Sequence, residues 1–391
     1  MDTGQINNQI HLPAREILDV NGIERELNHL WTSAAVGDKD DDGSVMRARV
    51  LNLLVHVDSD AALQTVNALL PDVTAAHPCR AIVMMGDEKG ADQDIEVYLS
   101  LQCRPVLSAH DRRLCCEAVT LEARGRFAVE LPSAATPLMV PDLPAILWWH
   151  GDVEFDDPVF RTLNRVMNRV VFDSANFAET HHDIEGLVEF WDRQRATDAR
   201  LSDLNWNRHS AWRSLIAAFF DGPENRLQLD RLERVEIDCI RPTSDPTAVP
   251  PQGLILAGWF AGCLGWTTRP DAPLLQVNDT WQITLVGQDR EVQFVWRFVD
   301  HADPGECEIV RVELICSEND DAAHFEVALS SNGYHLETDT KGDSITRAPR
   351  VLNCPNTDTA HLLAAELNAG GQDLVLERSV RAAAAMIGPR S

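Results

Sequence analysis

Positive charge is scarce in this sequence. Its 34 Lys and Arg residues face 61 Asp and Glu, giving a formal charge of −27 over 391 residues. That acidic excess repels nucleic acid and anionic lipid unless a local basic patch intervenes, so no nucleic acid and no membrane is expected as a partner. Long apolar runs are missing as well. The longest, "GLILAGWFAGCLGW" (Gly253 to Trp266), has 14 residues, short of the ~20 needed to span a bilayer. The amino-terminal "MDTGQINNQIHLPAREI" lacks an apolar core flanked by basic residues, so no secretory signal is expected. A soluble, cytoplasmic protein is the expectation.

The usual catalytic signatures are also absent. No G-x-G-x-x-G follows a strand, and there is no phosphate loop, no G-x-S-x-G elbow and no H-E-x-x-H. No cofactor is therefore expected. The nine cysteines include no C-x-x-C pair, which removes zinc ribbons and thioredoxin-like motifs. The plain reading is buried reduced thiols. A redox-sensitive pair among Cys79, Cys103, Cys115 and Cys116 is the alternative, and spacing does not pair them. In "GDKDDDGS", Asp38, Asp40, Asp42 and Gly43 fit calcium-loop positions 1, 3, 5 and 6, but Arg49 stands at position 12, where a bidentate Glu is required. A solvated acidic linker is expected there, with no metal.

What remains is a folded chain, 45% hydrophobic, long enough for two domains. A helix is expected over 14–35, with Ile23, Leu27, Leu30 and Trp31 on one face. Strands follow at 49–58, 79–87, 94–103 and 117–123, with helix over 59–76 and helical character over 125–139. "AILWW" (145–149) is a strand. "DDPVFRTLNRVMN" is a helix capped by Asp157, with Val159, Leu163, Val166 and Met167 as its apolar stripe. "RVVFD" (169–173) is again a strand, and 184–194 a covering helix. In the second half, 204–222 reads as one helix stopped at Gly222, and 243–251 as a proline-rich connector. The apolar run is a buried helix whose Gly258 and Gly262 allow close packing. Strands at 281–286, 291–299, 308–316, 323–330 and 333–338 carry an Asn332-Gly333 hairpin signal, and two helices (358–369, 373–387) close the chain. The predicted fold is α/β: an N-terminal mostly parallel sheet with covering helices, then an α+β domain with an antiparallel sheet. The expected divisions are 1–44 (helix and acidic linker), 45–200 and 201–391.

Four stretches concentrate chemistry. In "HPCR", His77 is extended before Pro78, and Arg80 either lies at the surface of a tight turn or holds an anion bidentately. In "VPDLPAILWWHGD", Trp148 and Trp149 point to opposite faces. They are either two-sided core or, with His150 at the carboxyl edge of a parallel sheet, a surface for a ligand or partner. "DLNWNRHSAWRSL" gathers Asp203, Trp206, Arg208, Trp212 and Arg213 around His209, either as inward packing with snorkelling arginines or as an interface. Arg161, Arg165 and Arg169 run at i, i+4, i+8, which marks an anion stripe or ordinary pairing with surface acids.

Taken in order, "HPCRAIV", "VPDLPAILWWHG", "NRVVFDSAN", "DLNWNRHSAWRSLIAAFFD" and "LILAGWFAGCLGW" resemble the glucose-6-phosphate dehydrogenase assembly protein family (OpcA), from about Arg47 to Trp266. The resemblance implies a non-catalytic protein that binds glucose-6-phosphate dehydrogenase and promotes its active oligomer, at the NADPH-producing entry to the oxidative pentose phosphate pathway. Trp148, Trp149, His150, Asp203, Trp206, Arg208, Trp212 and Arg213 are then the candidate partner-binding residues. The chain departs from the family at Asn205, Asn207 and His209–Ser210–Ala211. The other reading is a sugar-phosphate or nucleotide-binding α/β enzyme, with His77, Arg80, Arg161 and Arg165 as its anion site. Self-association is not readable.

Overall fold

The computed structural model describes residues 10–12, 20–36, 45–105, 113–194, 199–241, 248–269, 271–287, 290–299, 308–316, 322–342, 350–353, 358–368 and 370–388. The acidic segment 37–44 and its calcium-loop pattern lie outside them. The chain forms two compact units. One comprises Met1–Asp173, Gln194–Ser202 and Thr359–Gln372; the other comprises Ser174–Arg193, Asp203–Asp358 and Asp373–Ser391. The single cut expected at residue 200 thus becomes several crossings. Helix Thr180–Gln194 lies with the second unit but for its last residue, and helix Thr359–Asn368 with the first. Helix Val20–Val36 is no separate segment; its Ile23, Leu27 and Leu30 are buried in the first unit.

The first unit is built on a nine-stranded sheet. Its strands are β1 (Ile10–Leu12), β2 (Val45–Arg47), β3 (Leu51–Val57), β4 (Cys79–Asp87), β5 (Gln93–Pro105), β6 (Arg113–Arg124), β7 (Ala145–Trp149), β8 (Arg169–Phe172) and β9 (Arg200–Asp203). The order is β1-β5-β6-β4-β3-β7-β8-β9, with β2 also on β6. The pairings among β6, β4, β3, β7 and β8 are parallel, and β1–β5 and β5–β6 are antiparallel. Counting the parallel strands in chain order gives 3-2-1-4-5, the order of a Rossmann sheet, with its switch point between β3 and β7. Apolar runs such as β3 and β7 are buried at every position, as a sheet covered on both faces requires. Buried Asn52 holds the proline-bracketed turn ahead of β7, donating to Val140 O (3.0 Å) and accepting from Val140 N (2.8 Å).

Helix Pro158–Asn164 starts as expected, with the Asp157 carboxylate accepting from Phe160 N at 2.9 Å. It then stops short. Val166 is 47% exposed and leaves the apolar stripe. Arg169 opens β8, so the three-arginine stripe does not form.

The second unit carries another nine-stranded sheet: β10 (Leu232–Cys239), β11 (Thr267–Thr268), β12 (Leu275–Val277), β13 (Thr280–Val286), β14 (Glu291–Phe298), β15 (Ile309–Cys316), β16 (Ala323–Leu329), β17 (His335–Lys341) and β18 (Val351–Asn353). Its pairings are antiparallel except β10 with β14. The β16–β17 hairpin forms through a longer loop than Asn-Gly alone implies. Only Gly333 is left-handed (φ 73°), and Asn332 Oδ1 instead accepts from Tyr334 N at 3.0 Å. The expected helix over 204–222 is two, Leu204–Arg208 and Ser210–Phe219, and a third, Pro223–Leu229, follows it. Gly222 precedes the last of these instead of ending the first.

Helix Pro251–Leu264 is apolar all round and packs closely on helix Leu374–Ile387. A Cβ at Gly258 would collide with the Ser379 carbonyl oxygen, so the contact needs glycine. Gly258→Ala is expected to lower stability by about 1–3 kcal/mol, seen as a lower urea midpoint. An unchanged midpoint would mean that the helices do not approach this closely.

Candidate functional site

The carboxyl edge of the first sheet is where an open α/β fold ordinarily binds its ligand. Here that edge is packed with rings. Trp148 and Trp149 are 1% and 4% exposed, because β7 lies between β3 and β8 and both of its faces are covered. Of the two readings of this stretch, both rings pack as core and neither is presented at the surface. Trp149 stacks on His56 at 3.7 Å and 16° between planes, and meets Phe160 edge-on at 5.2 Å. Its Nε1–H donates to Asp152 O at 2.9 Å. His150 is half-buried and meets Trp148 edge-on. Burial presses the His56 pKa down to about 4 against the raising effect of Asp58, and it lowers that of His150 as well. Both rings are therefore neutral near pH 7.

A dinucleotide site also needs a glycine-rich turn after its first strand and free N–H groups at the following helix. The turn after β3 is Asp58–Ser59. Ser59 Oγ caps helix Asp60–Ala76 by accepting from Ala62 N, and Asp60 places a carboxylate in the first turn.

The arginine of "HPCR" is internal. Arg80 is 2% exposed; its Nε donates to Glu117, its Nη1 to Glu24 and, at 2.8 Å, to Leu138 O. Burial alone would lower its pKa, but the bonds and charges of Glu24 and Glu117 raise it. Glu117 also accepts from Trp31 Nε1 (3.0 Å), Arg47 (2.9 Å) and Arg49 (2.6 Å). The anion site expected at His77 and Arg80 is thus filled by protein carboxylates, and His77 serves as the C-cap of its helix. Arg161 and Arg165 are exposed. Arg169 is 6% exposed and donates to Ser202 Oγ (2.9 Å) and Glu366 (3.0 Å).

The second unit gathers the residues of "DLNWNRHSAWRSL". Asp203 is 1% exposed. It accepts from Ser174 N (2.9 Å), Ser174 Oγ (2.8 Å) and Asn205 N (3.0 Å), the last as an N-cap. Trp206 Nε1 donates to Asp373 at 2.7 Å. The Arg213 guanidinium lies 3.3 Å from the centre of the Trp206 ring and donates to Trp206 O at 2.7 Å. Burial lowers the Arg213 pKa to about 10. Arg208 donates to Asn205 Oδ1, and Trp212 is 1% exposed. The structure brings this set together as interior, not as an exposed interface. A small cavity of about 10 Å³, room for a single water, lies beside it, lined in part by Trp206, His209, Arg213 and Gln252.

Sequence reasoning missed His56, Glu117, Ser174 and Gln252. Glu117 alone left a trace, as an acid set between the apolar "LCC" and "AV" of its strand. Of the thiols, Cys79 and Cys116 are free and buried, and burial pushes both pKa values up, which disfavours the reactive thiolate. Cys115 is disulfide-bonded. The backbone of Cys103 stands opposite it in the β5–β6 ladder, while the Cys103 side chain lies outside the described residues. Among the described residues, no cluster of His, Cys, Asp and Glu is placed to hold a metal, and no helix is long and apolar enough to cross a membrane.

These features define a two-unit α/β protein with a Rossmann-ordered sheet, a ring-packed ligand edge and internalised tryptophan–arginine motifs. The chain belongs to the OpcA family: residues 71–189 match the model described as the glucose-6-phosphate dehydrogenase subunit N-terminal domain, and residues 199–380 the C-terminal domain. It is similar to the OxPP cycle protein OpcA of Nostoc punctiforme, at 26% identity over 79% of this chain and 65% of the relative. The protein of the same name from Synechococcus elongatus is 28% identical over 83% of this chain and 71% of its own length. Among solved structures, an oxidoreductase from Klebsiella pneumoniae aligns at a TM-score of 0.45 and 12% identity, over 87% of this chain and 92% of that one. A likeness at that level carries no functional argument.

Two outcomes follow from this geometry. Trp149→Ala removes a buried ring and is expected to cost about 3–5 kcal/mol of stability; a thermal melt within a degree of the parent would return the residue to the surface. Acid should also destabilise the fold. The folded pKa values of His56 (about 4) and His209 (about 3, lowered mainly by burial) lie below the ~6.5 of an unfolded histidine. Their stabilisation is complete above pH 6.5 and is lost as pH falls toward 4 and 3. Urea unfolding between pH 7 and 5 should show this loss, and His56→Asn should flatten part of it. A parent slope that survives the substitution unchanged would rule out a contribution from His56.

Proposed function

We propose that this protein is a non-catalytic assembly factor and allosteric activator of glucose-6-phosphate dehydrogenase. It binds the enzyme in the cytoplasm and favours its active oligomer at the NADPH-producing entry of the oxidative pentose phosphate pathway. The match of both halves of the chain to the two OpcA domain models carries this reading. The relatives' shared name, an oxidative pentose phosphate cycle protein, supports the pathway. The ring-packed switch point and the serine-capped, acid-flanked turn after β3 favour a binder over a nucleotide enzyme. Activation then needs no chemistry from this chain. Binding one state of the partner about 1.4 kcal/mol more tightly than another shifts its equilibrium tenfold.

The candidate partner residues Trp148, Trp149, Asp203, Trp206, Arg208 and Trp212 act in this scheme by shaping the units, since all are buried. The test mixes the purified protein with its cognate dehydrogenase. Light scattering is expected to show a complex larger than either component. The glucose 6-phosphate concentration for half-maximal rate is expected to fall several-fold. Absence of both effects would sink the proposal. Turnover of a phosphosugar by this protein alone would favour the enzyme reading instead.

A further inference from the structure

Two arginines of the first unit find no partner in the fold. Helix Pro158–Asn164 buries Val159, Phe160 and Leu163. Its outward positions, with the two residues that follow it, are Pro158, Arg161, Thr162, Arg165 and Val166, and no acid stands among them. Other arginines of this unit meet carboxylates: Arg47, Arg49 and Arg80 meet Glu117, Arg124 meets Asp60 and Asp87, and Arg169 meets Glu366. The side chains of Arg161 and Arg165 meet no hydrogen-bond or ion-pair partner among the described residues. The acid one turn before Arg161 is turned away, because Asp157 accepts from Phe160 N at 2.9 Å as the helix cap. The group one turn before Arg165 is Arg161 itself, and Arg165, at the C-cap, keeps helical backbone (φ −64°, ψ −22°).

Two cations one turn apart repel each other mildly, and nothing inside this unit offsets them. The chain has 61 acids against 34 basic residues, so an arginine without a carboxylate goes against the composition of its surface. Apolar side chains flank the pair. Val166 is 47% exposed, and Val129 is 51% exposed on the short helix Gly125–Glu130, which packs against this one. Arginine beside uncovered apolar surface is the composition of a protein interface, and positive charge without an internal counterion fixes the sign of what it meets. On a chain of charge −27, a local positive face gives an acidic partner one orientation in which approach is attractive.

We propose that the outer face of helix Pro158–Asn164 docks a carboxylate-bearing face of the dehydrogenase, with Arg161 and Arg165 pairing its acids and Val129 and Val166 covered in the complex. This rests on the assembly reading and names the face through which it operates. The test measures the affinity of the full chain for its cognate dehydrogenase at about 50 mM and about 500 mM NaCl, where screening differs severalfold. The parent complex is expected to weaken with salt. Arg161→Glu/Arg165→Glu should weaken binding about tenfold at low salt and remove most of the salt dependence. Arg161→Gln/Arg165→Gln, which removes charge without adding repulsion, should weaken it about threefold, and it decides the matter should the reversal fail to fold. Arg226→Glu/Arg350→Glu makes the same change in net charge at exposed positions of the second unit and should bind like the parent. Parent-like affinity and salt dependence in both substituted pairs at 161 and 165 overturn the proposal and leave the assembly reading standing. An equal loss in the Arg226/Arg350 pair, which marks bulk charge, does the same. So does a lowered melting temperature with parent-like binding, which assigns the two arginines to the dipole of their own helix. Should the parent form no complex at all, the assembly reading falls and this one with it.

Discussion

A carboxylate with no access to water must have its charge met inside the fold, and Glu117 imposes that constraint on the first unit. It stands on β6 with a side chain 0% exposed, and it collects Arg47, Arg49, Arg80 and Trp31. Those donors come from β2, the segment after it, β4 and helix Val20–Val36. Arg80 in turn reaches Glu24 on that helix. The pair at the centre adds little net stability against an apolar replacement. Its force is conditional: once either charge is buried, the other must be there, because an uncompensated ion in the interior costs several kcal/mol. One acid therefore fixes how a helix, an edge strand and a central strand meet.

Asp203 plays a comparable part in the second unit. Its two oxygens take the backbone and hydroxyl of Ser174 and the N-terminus of the helix that follows it. That places Trp206, whose ring then carries Arg213 and whose indole N–H meets Asp373. The motif is a chain of satisfied polar groups, each one positioning the next. The tryptophans and the buried acid of the motif are thus interior groups that place one another.

Periodicity made most of the architecture legible. The parallel and antiparallel halves, the Asp157 cap and the close-packing glycines all follow from local rules that the structure obeys. The failures share a cause. The helix over 204–222 was drawn as one because apolar spacing continues through it, but His209 turns its ring back to the Asn205 carbonyl and the helix breaks there. Arg161, Arg165 and Arg169 share a helical spacing, yet the helix ends at Asn164 and Arg169 is drawn into β8, with Ser202 and Glu366 as its partners. Arg80 read equally well as surface or anion-binding, because its partners lie 37 and 56 positions away. Spacing along the chain carries no information about such pairs.

The switch point shows how a fold can keep its topology and still close its usual site. Strand order alone places a crevice between β3 and β7. A pyrophosphate there needs close backbone approach and unspent N–H groups at the helix start. In this chain Ser59 has already taken one of those N–H groups, and Asp58 and Asp60 set negative charge where phosphate would lie. Above them His56 and Trp149 stack face to face, with Phe160 against the indole. The neutral imidazole is part of that closure: a protonated ring would carry an unmet charge into an apolar stack. Burial, turn chemistry and charge therefore act in one direction. The edge that in other sequences frames a nucleotide is here filled by rings and flanked by carboxylates.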